Sequence, residues 1–343
     1  MELGSPDPAR GWCRWLVLAI AMAGSTTVLT GTRVIDEPAV SALWREPADI
    51  ADRDLFYGPG GKAHQPHGTL TFLQEDLDAT NPKFDVRDGD GVKWKLKLGR
   101  EARPETAAAR LVWAVGYATD EDYFLREVQV TGMPLHVHRG QSLIGADGTM
   151  HDVRLKREPG GRKKVANWAW RDDPFTGTRE LNGLRVLMAV INNWDVKDIN
   201  NAVYAYHDGK AATAEERVYE VSDLGSSFGS AGLERTNGST GELRAYRRTS
   251  FIKKITPGDV DFDVPRRADL IVLFNVPEFF MRLRLRWIGR HIPRDDAKWM
   301  GRLLARLSPN QIRDAFRAAG YSPEDVEGFA TVLESRIAQL TGL

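Results

Sequence analysis

The most informative part of the sequence is Asn192-Asn193-Trp194-Asp195-Val196-Lys197-Asp198-Ile199-Asn200-Asn201, with Ser222-Asp223-Leu224-Gly225 later in the chain. The first segment places a lysine two residues after Asp195 and an asparagine five residues after it. The second segment adds an aspartate that precedes a glycine. A carboxylate, an ammonium group, an amide and a second carboxylate can orient a hydroxyl, contact a phosphate and bind magnesium. Each motif alone is also compatible with an ordinary polar loop or turn.

The segments around these two loops predict a rigid support for them. Thr178 to Asn192 has apolar residues almost all the way round a helix, which predicts a buried helix that ends at the first loop. Residues 202–206 and 217–221 predict a hairpin that returns the chain to Asp223. Asn200 and Asp223 then stand at the start and the finish of this hairpin, where they could share one metal ion.

A lysine-bearing strand and a helix are predicted upstream. Phe84 to Gly99 has the pattern of a hairpin with an Asp-Gly turn, and Lys93, Lys95 and Lys97 alternate with apolar residues on its second strand. Pro104 suits the first turn of a helix that continues to Val115. Glu105 lies in that first turn and could reach back to a lysine of the strand. Two further strand candidates, 123–130 and 153–156, predict a small antiparallel sheet.

The order D-x-K-x-x-N and then D-x-G resembles the catalytic and metal-binding loops of the protein-kinase-like superfamily. The K-x-G-x-x-x-R-x-E spacing from Lys97 to Glu105 resembles the lysine strand and helix of the phosphoinositide-kinase branch. Asn193-Trp194 stands where many protein kinases have His-Arg, and no A-P-E follows, as in the atypical branches that include the phosphoinositide, HipA-type and secretory-pathway kinases. The resemblance implies an α+β, two-lobed fold. Its N-lobe would be a small antiparallel sheet with one helix, and its C-lobe mainly helical.

The resemblance also implies a role for each candidate residue. ATP and Mg²⁺ or Mn²⁺ would be the cofactors. Asp195 would orient the acceptor, Lys197 would contact the γ-phosphate, and Asn200 and Asp223 would bind the metal.

Nucleotide placement would fall to the first lobe. Lys97 would contact the α- and β-phosphates and Glu105 would hold it in place, with Lys95 as the alternative lysine.

A glycine-rich turn precedes the predicted sheet. Gly58, Gly60 and Gly61 lie in the sequence Phe56-Tyr57-Gly58-Pro59-Gly60-Gly61-Lys62 and could cradle a phosphate through backbone N–H groups. The segment does not match a Walker A loop, because Phe56 replaces the first glycine and Ala63 replaces the Ser or Thr. A plain turn is the competing interpretation.

The first 32 residues have the pattern of a targeting sequence. Arg10 and Arg14 flank the start of an apolar run that ends in Ala21-Met22-Ala23, which predicts a signal peptide or an uncleaved N-terminal membrane anchor. Residues 33–51 would be a linker, 52–170 the N-lobe and 171–343 the C-lobe. The arginines favour an extracytoplasmic chain, either secreted or periplasmic or anchored in the membrane. The single cysteine, Cys13, excludes a disulfide within the chain.

The charge composition of the chain argues against one class of partner, nucleic acid. The 47 basic and 47 acidic residues balance to a formal net charge of zero, so no global field attracts nucleic acid. The expected partners are a nucleotide and a protein, sugar or lipid that offers a hydroxyl. A kinase-fold binding module without turnover is the alternative function, because ATP is scarce outside the cytoplasm, and AMP transfer from ATP is a third possibility.

Overall fold

The computed structural model describes residues 41–77, 81–158, 160–206, 216–230, 239–263 and 285–343. The predicted signal peptide or anchor and Cys13 lie outside these ranges. Within them, no helix combines the length and the apolar character that crossing a membrane requires. The elements in chain order are β1 (Ser41–Ala42), β2 (Leu70–Asp76), β3 (Lys83–Arg87), β4 (Lys93–Lys97), α1 (Ala102–Ala114), β5 (Ala118–Thr119), β6 (Asp122–Thr131), β7 (Thr149–Arg157), β8 (Arg162–Ala166), α2 (Arg179–Val190), β9 (Asn201–Tyr206), β10 (Glu216–Val221), α3 (Leu243–Arg248), β11 (Ile252–Ile255), β12 (Asp259–Phe262), β13 (Ile292–Pro293), α4 (Arg294–Leu304), α5 (Pro309–Ala318) and α6 (Pro323–Thr341).

Five strands close into a small barrel in the order β2-β3-β4-β7-β6. Neighbouring strands are antiparallel except β2 and β6, which run parallel and close the barrel. The Asp88 carboxylate accepts the N–H groups of Asp90 and Val92, which stabilises the predicted β3–β4 turn. Strand alternation then directs Trp94 and Leu96 into the barrel core and the lysines of β4 outward.

Helix α1 packs between the barrel and the helical part of the chain. Its apolar residues, including Leu111 and Val112, belong to the large core cluster that the other helices form, and it contacts α5. It also contacts β6 and β7, to which it presents charged side chains such as Glu105. One helix therefore joins the two parts through different faces.

The rest of the described chain is mainly helical and contains two further sheets, of which β11, β12 and β13 form one. Strands β9 and β10 form the predicted hairpin, and β8 and β1 extend it on either side in the order β1-β10-β9-β8. Helix α2 is buried and packs against α4 and α6; the Thr178 hydroxyl caps its start by accepting the N–H of Leu181 at 3.3 Å. These elements confirm the predicted α+β fold with a small sheet domain, one helix and a mainly helical second part. The sheet differs from the expectation in being a closed barrel.

Candidate functional site

A row of basic side chains crosses the outer face of the barrel. Lys97 on β4 lies directly opposite Lys83 on β3 and Arg154 on β7. Because side chains of paired residues leave a sheet on the same side, all three point away from the barrel core. Glu105 of α1 and Asp223, two residues after β10, meet this row.

The Lys97 ammonium lies among three carboxylates. Its Nζ is 2.9 Å from Glu105 Oε2, 3.0 Å from Asp223 Oδ1 and 2.6 Å from Glu101 Oε2, and the residue is only 1% exposed. Burial opposes the positive charge, but the three carboxylates outweigh it and raise the Lys97 pKa above its usual range. The structure therefore brings together three predicted site residues, Lys97, Glu105 and Asp223, and adds Glu101 to them.

Asp223 is held in an unusual backbone conformation. Its φ is 54°, which is uncommon for a residue other than glycine and is found at functional sites that the surroundings constrain. The adjacent Lys97 charge lowers its carboxyl pKa to about 2, so the group is ionised at neutral pH. Two residues on, a Cβ at Gly225 would lie 2.6 Å from the Cβ of Glu101. The loop after Asp223 therefore needs a glycine to approach Glu101.

The loop that contains Asp195 is held by its own side chains. Lys197 Nζ lies 2.8 Å from Asp195 Oδ1, and the Asn200 amide donates to the Asp195 backbone carbonyl at 2.8 Å. The Asn193 side-chain oxygen accepts the Asp195 N–H at 3.0 Å. Asp195, Lys197 and Asn200 thus form one compact unit after α2.

Backbone hydrogen bonds join the two loops. The Trp194 N–H donates to the Ser226 carbonyl at 3.2 Å, and the Phe228 N–H donates to the Ile191 carbonyl at 2.8 Å. Asn201 pairs with Val221 at the end of the hairpin, so the segments that contain Asn200 and Asp223 leave the hairpin at the same end. This arrangement brings the two sequence motifs to one side of the sheet.

A buried ionic layer continues from the site along the barrel face. Arg154 lies 3.2 Å from Glu105 and 2.8 Å from Asp122, and Lys156 pairs with Asp120. Burial raises the pKa of Asp122 to about 6 and that of Glu220, on β10, to about 7. Lys97 contacts one carboxylate oxygen of Glu105, and Arg154 contacts the other. The ionic layer therefore holds Glu105 in position through Arg154.

The glycine turn and Lys95 have other neighbours. A Cβ at Gly58 would meet the Arg110 side chain, one at Gly60 would meet Glu121 and His64, and the Gly61 carbonyl accepts the Tyr123 hydroxyl at 2.9 Å. These contacts are separate from those of Lys97. Lys95 lies 3.1 Å from Asp76 and 2.9 Å from Asp85, in ion pairs of its own.

Three site residues were missed in the sequence. Lys83, Glu101 and Arg154 surround Lys97 but belong to no motif. The sequence does contain a signal for two of these residues, Lys83 and Glu101. The Asp-Gly turn defines the β3–β4 register and hence places Lys83 opposite Lys97, while Glu101 follows Lys97 by four residues across a turn. Arg154 required knowledge of which strand pairs with β4.

The carboxylate group has the donor chemistry that a divalent cation needs. Glu101, Glu105 and Asp223 each contribute an oxygen, and these oxygens lie within 4.8 Å of one another. Carboxylate and amide oxygens are the preferred ligands of Mg²⁺ and Mn²⁺. The donor types present therefore suit such an ion, while in this structure the Lys97 ammonium itself lies within 3.0 Å of all three carboxylates.

No family model matches this chain, and no curated protein matches it. Among solved structures it is similar to the Helicobacter pylori proinflammatory kinase CtkA, with a TM-score of 0.44 and 11% identity over 81% of this chain and 96% of that one. It is also similar to the Golgi casein kinase, with a TM-score of 0.30 and 10% identity over 79% and 75% of the two chains. The Golgi casein kinase with Mn/ADP bound has a TM-score of 0.29 and 10% identity over 80% and 75%.

Proposed function

We propose that this chain is an ATP-dependent phosphotransferase of an atypical kinase branch that uses Mg²⁺ or Mn²⁺ and a hydroxyl acceptor. The observation that carries the proposal is the buried Lys97–Glu105 ion pair at 2.9 Å with Asp223 at 3.0 Å from the same ammonium. A protein rarely buries a lysine and two carboxylates, here Glu101 and Glu105, without a use for them, because desolvating each ion costs several kcal/mol. Phosphoryl transfer uses a lysine–glutamate pair beside a metal-binding aspartate.

In this proposal each part of the site has one task. Lys97, held by Glu105, contacts the phosphates of ATP, and Asp223 with Asn200 holds the divalent ion. The ion, when bound, neutralises the charge that develops on the transferred phosphoryl group. Asp195 orients the acceptor hydroxyl and accepts its proton, and Lys197, 2.8 Å from Asp195, contacts the γ-phosphate.

The first test is a thermal-shift titration of the full chain with Mg²⁺ and ATP beside Asp223→Ala. A ligand that binds only the folded state adds about 2.7 kcal/mol of stability at a hundredfold excess over its dissociation constant, which raises the melting temperature measurably. We expect a metal-dependent shift in the wild type that Asp223→Ala lacks. Absence of any shift in the wild type contradicts the proposal.

Transfer itself is tested with ATP labelled at the α- or the γ-phosphate. Release or transfer of the γ-label by the wild type, but not by folded Asp195→Ala, supports phosphoryl transfer. Incorporation of the α-label would instead identify AMP transfer. A thermal shift with Mg²⁺ and ATP but no transfer of either label would favour the binding module without turnover.

We further propose that the chain is extracytoplasmic. Protease accessibility in intact cells tests this location.

A further inference from the structure

Among the described residues, Lys83 is a basic residue beside the carboxylates that has no ionic partner. It lies opposite Lys97 on the neighbouring strand β3, and its side chain leaves the sheet on the same side. It is half-buried, so water does not fully solvate it. Its other register neighbour is Asp76 on β2, but the Asp76 carboxylate lies 3.1 Å from Lys95.

The cations nearest to Lys83 on this face, Lys95, Lys97 and Arg154, are already paired. Lys97 has three carboxylates, Lys95 has Asp76 and Asp85, and Arg154 has Glu105 and Asp122. Across the part of the chain that the structure describes, Lys83 has no carboxylate within 4.0 Å. The row therefore contains one cation that can accept an anionic ligand without first giving up a partner.

The charges around Lys83 favour an anion there. Burial and the positive charge of Lys97 lower its pKa, while Asp223 and Glu105 raise it, and the net direction is down. A half-buried ammonium without a partner is costly, and a phosphate oxygen would offset that cost with a charge-assisted hydrogen bond. The Lys83 charge also lowers the pKa of Asp223, so the two groups are close enough to interact.

We propose that the Lys83 ammonium makes a second direct contact with the phosphate groups of the bound nucleotide, beside Lys97. This inference rests on the proposed function and deepens it by assigning a phosphate contact to a residue outside the recognisable motifs. Lys97 shares its charge among three carboxylates, so Lys83 supplies the positive charge that a triphosphate still requires. The contact involves no proton or group transfer by Lys83.

The test compares Lys83→Met with Lys93→Met in the full chain. Lys93 lies on the same face of β4 but is exposed, so both variants remove one positive charge and only one removes the proposed contact. The probes are Mg²⁺-ATP, Mg²⁺-ADP and adenosine, with binding measured by calorimetry. Loss of a hydrogen bond to a charged group weakens binding about 10- to 100-fold. We expect this loss for both phosphorylated probes in Lys83→Met, wild-type affinity for adenosine, and substantial recovery in Lys83→Arg.

The possible outcomes separate the contact from the proposed function. If Lys83→Met binds Mg²⁺-ATP as tightly as Lys93→Met does, the contact is refuted while the proposed function stands. Equal losses for ATP and adenosine also refute it, because they indicate a damaged site instead of a missing phosphate contact. A wild-type chain that binds none of the probes refutes the proposed function and the contact together.

Discussion

At the scale of single residues, the site is a problem of charge balance. One ammonium, that of Lys97, lies within 3.0 Å of three carboxylates, so the immediate cluster has an excess of negative charge. Arg154 and Lys83 add two positive charges from the neighbouring strands, which balance this excess. A divalent cation bound beside Asp223 would add two further positive charges, and these favour a phosphate. The side chains thus predict an ordered dependence of nucleotide binding on metal.

The Asp223 carboxylate links this balance to the stability of the fold at acid pH. Its pKa falls from 3.8 to about 2 on folding, chiefly through Lys97, so the folded state favours the ionised form. The stability it contributes is present above about pH 4 and is lost as the pH falls toward 2. We expect the difference in unfolding free energy between the wild type and Asp223→Asn to change in this window. Urea titrations at pH 6, 5, 4 and 3 measure it.

The control for this prediction is Asp52→Asn, which alters an exposed aspartate outside the site. The difference between the wild type and this control should stay nearly constant over the same pH range. Parallel pH curves for the wild type and Asp223→Asn would show that Lys97 does not hold Asp223 ionised in the folded protein.

At the scale of elements, the sequence predicted what local pattern determines. The helices α1 and α2, the β9–β10 hairpin and the β3–β4 hairpin follow from periodicity and turn residues, and all are present. The last two helices, α5 and α6, also begin with serine caps. Ser308 accepts the Gln311 N–H and Ser322 accepts the Asp325 N–H, each before a proline in the first turn.

Elements with weak local patterns were missed. Strand β8 has the sequence Arg-Lys-Lys-Val-Ala and lies at a sheet edge, where only pairing with β9 gives it a strand conformation. The closure of the barrel depends on the parallel pairing of β2 and β6, between segments about 60 residues apart, which no local signal encodes. Arg154 was missed for the same reason, since its place beside Lys97 comes from the pairing of β7 with β4.

One tertiary contact supports the start of the Asp195 loop from a distant helix. Arg336 of α6 donates to the carbonyls of Ala189 and Val190 at the end of α2, at 3.0 and 2.9 Å, and is only 2% exposed. It also donates to the Thr249 hydroxyl at 2.6 Å. The Arg336 guanidinium therefore lies at the C-terminal end of α2, where the negative end of the helix dipole stabilises a positive charge.

We expect Arg336→Met to lower the free energy of unfolding by about 1–3 kcal/mol, the usual cost of losing buried hydrogen bonds to a charged group. Methionine keeps much of the side-chain volume, so the effect reports the hydrogen bonds. Urea unfolding measures it, with Arg317→Met as the control. Arg317 is exposed and pairs with Asp314 at the surface, so its replacement should cost less than about 1 kcal/mol. Equal costs for the two variants would contradict a supporting role for Arg336.

At the scale of the whole molecule, two apolar cores are separated by a charged layer. The barrel core contains Leu96, whereas Leu111 of α1 belongs to the large core of the helical part. Between them lie the buried ion pairs of Lys97, Glu105 and Arg154. Ion pairs contribute less to cohesion than apolar packing because their desolvation offsets their attraction. We therefore expect the layer that forms the site to open more easily than either apolar core.

This arrangement predicts that the barrel and the helical part open separately in the folded protein. Leu96→Ala and Leu111→Ala each remove a fully buried leucine and should each cost about 2–5 kcal/mol. Native-state hydrogen exchange should then show faster exchange mainly in β3, β4, β6 and β7 for Leu96→Ala, and mainly in α1 and α5 for Leu111→Ala. A uniform increase across both parts in both variants would mean that the charged layer couples the two cores into one cooperative unit. Bound Mg²⁺-ATP should reduce the difference between the two parts, because its proposed ligands, Lys97 and Asp223, belong to opposite sides of the layer.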